Sequence, residues 1–304
     1  MNTIGIDIGG TKVKAGIINH EGQILSLIEE QTNKQELMNQ LLSLIERLLH
    51  NDDFKIEGIG IATAGRVDVE NGSVLYATSN LPGWTGIKVK EMVEERFSIP
   101  TVVDNDANCA AYAEMEIGSA IQVENFICIT IGTGVGAGII LNGNLHRGKN
   151  GGAGEIGHMV LIPNGRQCNC GKRGCWEQYV SGTALTLDIK EESTFLNQTI
   201  LPENIFKHAY DSNPIAVKIV ERFIDNLAVG IASLQDILDL DCFVLGGGVI
   251  DSSPYWWDQL VNKLKTITNQ SLIIRKAKLK NNAGMLGAAL MACTYATMKL
   301  KVKG

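Results

Sequence analysis

The sequence predicts a two-lobed α/β protein with a cleft between its halves, and three observations predict it. A nine-residue pattern occurs twice, as Gly10-Thr11-x-Val13-x-Ala15-Gly16-Ile17-Ile18 and, 122 positions later, as Gly132-Thr133-x-Val135-x-Ala137-Gly138-Ile139-Ile140. Strand-like and helix-like patterns alternate along the chain. The 304 residues, 45% of them hydrophobic, supply two cores without a low-complexity linker, which predicts a hinge and a cleft instead of separate beads.

Each copy of the repeat follows a short apolar run, Ile4 to Ile8 or Phe126 to Ile131, that reads as a strand, turns at glycine and threonine, and leaves on a second strand. Glycine-rich tips are either plain tight turns or anion cradles. Repetition favours the cradle, because glycine lets backbone N–H groups and a hydroxyl reach phosphate oxygens. Asp7 precedes the first tip, and the position 122 residues on is Ile129, so one half alone offers a carboxylate for Mg²⁺. No G-x-x-x-x-G-K-[ST] loop occurs, and the glycines from 132 to 138 alternate instead of following G-x-G-x-x-G, so neither a Walker A loop nor a dinucleotide fingerprint is supported.

After the first hairpin come a strand near Gln23 to Ile28 and an amphipathic helix with Leu37, Leu41, Leu44, Ile45 and Leu48 on one face. A strand at Ile56 to Ala62 ends at Thr63-Ala64-Gly65-Arg66, and a helix from about Lys88 to Phe97 stops before Pro100. The strand Thr101 to Val103 runs into Asp104-Asn105-Asp106-Ala107-Asn108, where alanine-rich helical sequence begins. The second lobe starts near Glu116 to Val123 and holds the second hairpin and a Gly/Cys-rich insertion from about Gly148 to Glu177. Its long helix near Ala216 to Leu238 feeds the strand Cys242 to Leu245, which breaks at Gly246-Gly247-Gly248. A final apolar helix, about Gly284 to Met298, packs back on the first lobe, giving lobes of residues 1–117 with 286–304 and of residues 118–285.

A net charge of −6 argues against a broad nucleic-acid surface and gives no support for an anionic membrane partner. No basic and apolar leader and no run of 18 apolar residues is present, which predicts a cytoplasmic protein. Of seven cysteines, Cys168, Cys170 and Cys175 crowd together, a metal-binding pattern for a reducing compartment. With His158 they form a Cys3His set within eighteen residues, suited to structural Zn²⁺; the alternative is a redox-active or free-thiol loop. Zinc would fix Glu155 and Glu177 relative to one another, and would leave the second His158 nitrogen for a ligand hydroxyl. Cys109, Cys128, Cys242 and Cys293 lie in apolar segments and read as core. Asp106 sits where a strand meets a helix, as an N-cap alongside Asp104 and Asn105, or as a general base taking the proton of an attacking alcohol.

Taken together, Asp7-Ile8-Gly9-Gly10-Thr11-Lys12, Val103-Asp104-Asn105-Asp106-Ala107-Asn108, Gly154-Glu155-Ile156-Gly157-His158 and Cys168-Asn169-Cys170-Gly171-Lys172-Arg173-Gly174-Cys175-Trp176-Glu177 resemble the ROK family of sugar kinases and repressors, in order over essentially the whole chain. The resemblance implies a ribonuclease-H-like fold of the actin-like ATPase superfamily, with ATP and a sugar in the cleft. It implies Asp106 as general base for a sugar hydroxyl, usually that on C6, and Asn105, Glu155, His158 and Glu177 as sugar ligands. Asp7, Gly9, Gly10, Thr11 and Lys12 would meet the ATP phosphates and Mg²⁺, Gly132 and Thr133 would meet them from the other side, and Gly246, Gly247 and Gly248 would lie near the adenosine. A homodimer is implied as well.

Thr63-Ala64-Gly65-Arg66-Val67 departs from the Pro-Gly-Pro pattern of bacterial glucokinases in this family and resembles the N-acetylmannosamine kinases, and Thr78 aligns with a threonine on the acetamido sugar. The block from Gly152 to His158 resembles glucokinases equally, so glucose and N-acetylmannosamine both stand as acceptors. A sugar-sensing repressor would carry a helix-turn-helix ahead of the first motif, where six residues precede Asp7. A sugar-independent actin-like ATPase would account for the tips but not for the aspartate and the Cys/His block.

Overall fold

The structure, a computed structural model, describes residues 1–51, 53–78, 80–193, 201–268 and 272–303. The first hairpin forms from β1 (Asn2–Ile8) and β2 (Lys12–Asn19), followed by β3 (Ile24–Gln31), α1 (Leu37–Leu49) and β4 (Ile56–Thr63). A two-stranded ribbon, β5 (Arg66–Asp68) with β6 (Ser73–Tyr76), leads to α2 (Val89–Phe97), β7 (Thr101–Asn105) and α3 (Asp106–Glu116). The second hairpin is β8 (Phe126–Ile131) and β9 (Val135–Leu141), extended by β10 (Asn144–Leu145). Helices α4 (Glu177–Val180), α5 (Gly182–Ser193), α6 (Ile205–Tyr210) and α7 (Pro214–Leu238) follow, then β11 (Cys242–Gly246), α8 (Trp257–Ile267), β12 (Ile274–Lys276) and α9 (Ala283–Lys303).

The two large sheets have one topology. Their strand orders are β3-β2-β1-β4-β7 and β10-β9-β8-β11-β12, with antiparallel pairing through each hairpin and parallel pairing beyond it. Alternation along β1 turns Ile4, Ile6 and Ile8 into a core with α1 and α2, and turns Thr3, Gly5 and Asp7 toward α9. In β8 the same period sends Ile127, Ile129 and Ile131 into a core with α5, α6, α7 and α8, leaving Phe126, Cys128 and Thr130 on the α3 side. The layers run first sheet, α9, α3, second sheet.

Glycine sits at every step of that stack. A Cβ at Gly5 or Gly60 would collide with the α9 backbone, one at Gly287 of α9 with the Cys109 carbonyl of α3, and one at Gly138 of β9 with Ala107 and Ala111 of α3. The glycine shared by both copies of the repeat is tight in each, though against different neighbours: a Cβ at Gly16 would meet the Ser26 carbonyl of β3 first and then the Met285 sulfur of α9, whereas one at Gly138 would meet α3.

Several sequence expectations need correction. Val13 pairs with Ile8 and Val135 with Ile131, so the second tip is one residue shorter and the counterpart of Asp7 is Thr130, not Ile129. Strand β3 extends to Gln31, and β7 continues through Asp104 and Asn105. Cys293 is only half-buried, its sulfur 3.4 Å from that of Met1, because it lies toward the outer flank of α9; Cys109, Cys128 and Cys242 are core. Gly60→Ala is expected to lower the denaturation midpoint severely, by the equivalent of about 3 kcal/mol or more, because backbone lies where the methyl would go. Chemical denaturation followed by circular dichroism checks this.

Candidate active site

The two tips open into one cavity of about 620 Å³ between the sheets, whose lining includes Asp7, Gly9, Gly10, Thr11, Lys12, Asp106, Thr130, Thr133, Gly246 and Gly247. Each tip is braced. In the first, the Gly9 N–H donates to the Lys12 carbonyl at 3.0 Å, while Thr32 donates from its hydroxyl to the Gly9 carbonyl at 2.7 Å and from its N–H to the Thr11 carbonyl at 2.8 Å. In the second, the Gly132 and Thr133 carbonyls accept from the Gly182 N–H at 2.7 Å and the Thr183 hydroxyl at 2.8 Å. Backbone N–H groups that are not consumed in these braces make such a tip an anion site. The Lys12 amine is turned to Glu29 of β3. Gly132, Thr133 and Gly248 line a second, less polar cavity of about 860 Å³ with Thr186, Val249 and Tyr255. Gly248 is marked in the sequence by its glycine run, whereas the α5 wall of this cavity is marked by no local motif.

Asn105 is the N-cap of α3: its side-chain oxygen accepts from the N–H groups of Ala107 at 2.9 Å and Asn108 at 3.1 Å. The capping role weighed for Asp106 therefore falls to its neighbour, and Asp106 projects into the cavity from the first helical position. Burial pushes the Asp106 carboxyl above the usual range, opposed by the Ala107 N–H. Asp7 is raised to about 7, mainly by burial and then by the charge of Asp106, with Lys14 opposing. Asp104, unassigned by the sequence beyond capping, is buried and receives Nε and Nη2 of Arg147 at 2.7 and 2.6 Å, tying the end of β7 to the loop before Glu155.

The Asn105 amide donates to the Gly65 carbonyl at 2.9 Å. Arg66 lies over the Tyr76 ring at 5.4 Å, and its Nε is 3.9 Å from Glu155. Thr78 follows β6 in a turn closed by the Leu81 N–H on its carbonyl at 3.0 Å, two residues before Asn80, which packs on Gly10. His158 faces Glu155 with Nε2 at 3.9 Å and Cys168 with Nδ1 at 3.6 Å. Glu177 accepts the Val135 N–H at 2.9 Å through one oxygen and lies 4.0 Å from the Cys168 sulfur through the other.

The ligand atoms of His158, Cys168, Cys170 and Cys175 all lie within 4.8 Å of one another, with 3.6 Å between the sulfurs of Cys170 and Cys175. Zn–S bonds near 2.3 Å give a tetrahedron edge of about 3.8 Å, so the donor set and spacing fit zinc.

Residues 3–294 match the sequence profile of the ROK family. The chain is 35% identical to a glucokinase of Streptomyces coelicolor, over 95% of this chain and 97% of that one. It is 33% identical to an N-acetylmannosamine kinase of Haemophilus influenzae, over 95% and 94% of the two chains. It superposes with a TM-score of 0.85 on a ROK family glucokinase from Streptomyces griseus in complex with glucose and AMPPNP, at 33% identity, covering 97% of this chain and 100% of the other.

Two predictions come from this geometry. An acid whose carboxyl rises to about 7 on folding binds its proton more tightly folded than unfolded, so its contribution is intact below about pH 4 and stability falls as pH rises toward 7. Asp7→Asn, free of metal and nucleotide, should therefore match wild type at pH 4 and melt about 3 °C or more above it at pH 8, as read by calorimetry. Cys170→Ser should purify with less than about a fifth of the wild-type zinc, measured by elemental analysis, since a three-ligand site with a hydroxyl holds the metal weakly.

Proposed function

Because the chain belongs to the ROK family and shares its fold within the actin-like ATPase superfamily, we propose that it is an ATP-dependent sugar kinase acting on the C6 hydroxyl of a hexose or N-acetylhexosamine, with glucose or N-acetylmannosamine as acceptor. One observation carries the reading. Asp106, relieved of capping by Asn105, stands in the same cavity as both glycine tips.

In the reaction, an Asp106 oxygen takes the proton of the sugar hydroxyl, the hydroxyl oxygen bonds to the γ-phosphorus, and the bond from that phosphorus to the bridging oxygen of ADP breaks. A carboxyl raised by burial is a better base than an exposed one. Gly9, Gly10, Thr11 and Lys12 on one side and Gly132 and Thr133 on the other hold the phosphates, so that most of the catalysis is alignment and charge stabilisation. Asp7 would hold Mg²⁺, which neutralises phosphate charge when bound.

Gly246, Gly247 and Gly248 lead from the phosphates to the second cavity, whose walls suit adenosine. Gly65, Arg66, Thr78, Asn105, Glu155, His158 and Glu177 surround the acceptor in this reading. His158, Cys168, Cys170 and Cys175 would bind Zn²⁺ with no open position, so the metal orients Glu155 and Glu177 and takes no part in chemistry. We place the activity in a cytoplasmic homodimer with no nucleic-acid partner; no helix among the described residues is long and apolar enough to cross a membrane.

Coupled ADP release with Mg-ATP against glucose, N-acetylmannosamine, N-acetylglucosamine, mannose, fructose and allose is expected to show strong stimulation by glucose or N-acetylmannosamine over a no-sugar control. Equal release in every well would instead identify a sugar-independent ATPase, and binding of sugar without release a sensor. Asp106→Asn should abolish turnover while keeping sugar affinity within about tenfold, since the shape survives and the base does not. Retention of more than a few percent of turnover would remove Asp106 from the role.

A further inference from the structure

Glu114 lies two turns along α3 from Asp106 and is fully buried, yet the chemistry above does not use it. Its carboxylate holds four donors. One oxygen accepts from the Ser119 N–H at 2.7 Å and from the Ser119 hydroxyl at 2.9 Å. The other accepts from the N–H groups of Lys278 and Leu279, each at 2.9 Å. A carboxylate has about four lone-pair sites, so the set is full. That completeness lets an anion persist in a buried place.

The location of the donors gives the residue its meaning. Ser119 lies in the segment between α3 and β8 that carries the chain from the first sheet to the second, and Lys278 and Leu279 lie in the segment between β12 and α9 that carries it back. Arg275 adds a second tie, donating to the Ser119 carbonyl at 2.8 Å. Gly118 allows the close approach, because a Cβ there would meet the Glu114 carboxylate.

Resting on the sugar-kinase reading, we infer that Glu114 is the pivot of cleft closure. A single buried anion gripping both crossovers makes them move as one, which confines rotation of the sheets to an axis through the end of α3. The same helix carries Asp106 about 12 Å away, eight residues at 1.5 Å each. The second crossover runs on into Lys280, Asn281, Ala283 and Gly284, which line the phosphate cavity. Glu114 is therefore a positioning residue: it lies in the wall of the same cavity, but both its carboxylate oxygens are taken by protein donors, and it makes the base and the phosphate wall arrive together.

The test compares full-length wild type, Glu114→Gln and Ser119→Ala. Glutamine keeps the volume but turns an NH₂ toward two of the donors, and Ser119→Ala removes one donor of four should the first variant fold poorly. AMPPNP affinity is measured with and without glucose or N-acetylmannosamine, whichever stimulates ADP release, alongside the radius of gyration by small-angle scattering. In wild type the sugar should tighten AMPPNP binding at least about fivefold and compact the protein. In Glu114→Gln that coupling should fall below about twofold and kcat drop about tenfold with KM for sugar rising, while AMPPNP affinity without sugar stays within about threefold. Ser119→Ala should be intermediate. A variant with a lower Tm but wild-type coupling, compaction and kcat would make Glu114 purely structural and overturn the pivot while leaving the kinase intact. Wild type that phosphorylates its acceptor without coupling or compaction would overturn it too. Wild type that neither binds nor phosphorylates any acceptor would overturn the kinase reading and the pivot with it.

Discussion

Backbone against backbone, across glycine, is the contact on which the cleft depends. Helices packed through ordinary side chains lie about 8–10 Å apart, whereas here a Cβ at Gly5 or Gly60, at Gly287, or at Gly138 would strike the neighbouring layer. Small residues recur along these seams: Cys109 packs with Ala288 and Ala113 with Ala289 between the two helices, Ala111 meets Gly138 of the second sheet, and Ala292 meets Gly58 of the first. Close approach of the layers keeps the ends of β1 and β8 and the start of α3 within one cavity, where Asp7, Asp106 and both tips meet. The same closeness excludes water from the two carboxyls and accounts for their raised pKa values.

What the sequence made legible was local. The hairpins, the amphipathic α1, the Cys3His loop and the strand-to-helix junction at Asp106 are each written within one or two turns of chain, and the structure has them all. What stayed illegible needed a distant partner. Asp104 acquires its role from Arg147, 43 residues away, and the donors of the second tip come from Gly182 and Thr183, about fifty residues on. The repeat itself was only half read. Its leading Gly-Thr pair marks a tip, but its trailing glycine answers to packing, against β3 in the first copy and α3 in the second, and a fixed offset hides that one tip is a residue shorter.

The Cys/His loop is tied to the second glycine tip as well as to Glu155. Glu177 follows the last cysteine by two residues and accepts the Val135 N–H at the foot of the second tip. Gly134 makes room for that carboxylate, since any Cβ there would meet it. Further out, Arg166 from the same loop pairs with buried Asp188 of α5 at 2.6 Å, and α5 begins at Gly182 and Thr183, the residues that brace the tip. The loop that positions Glu155 and Glu177 thus also holds the backbone of the second tip in place.

The two sheets repeat one topology, and the register sets Thr130 where the first sheet has Asp7. Perfect pseudo-twofold symmetry would leave a chain of phosphates indifferent to direction, able to lie in the cavity either way round. The exchange of one carboxylate for a hydroxyl lifts that degeneracy. Together with the shorter second tip, that one side chain gives the cavity a head and a tail.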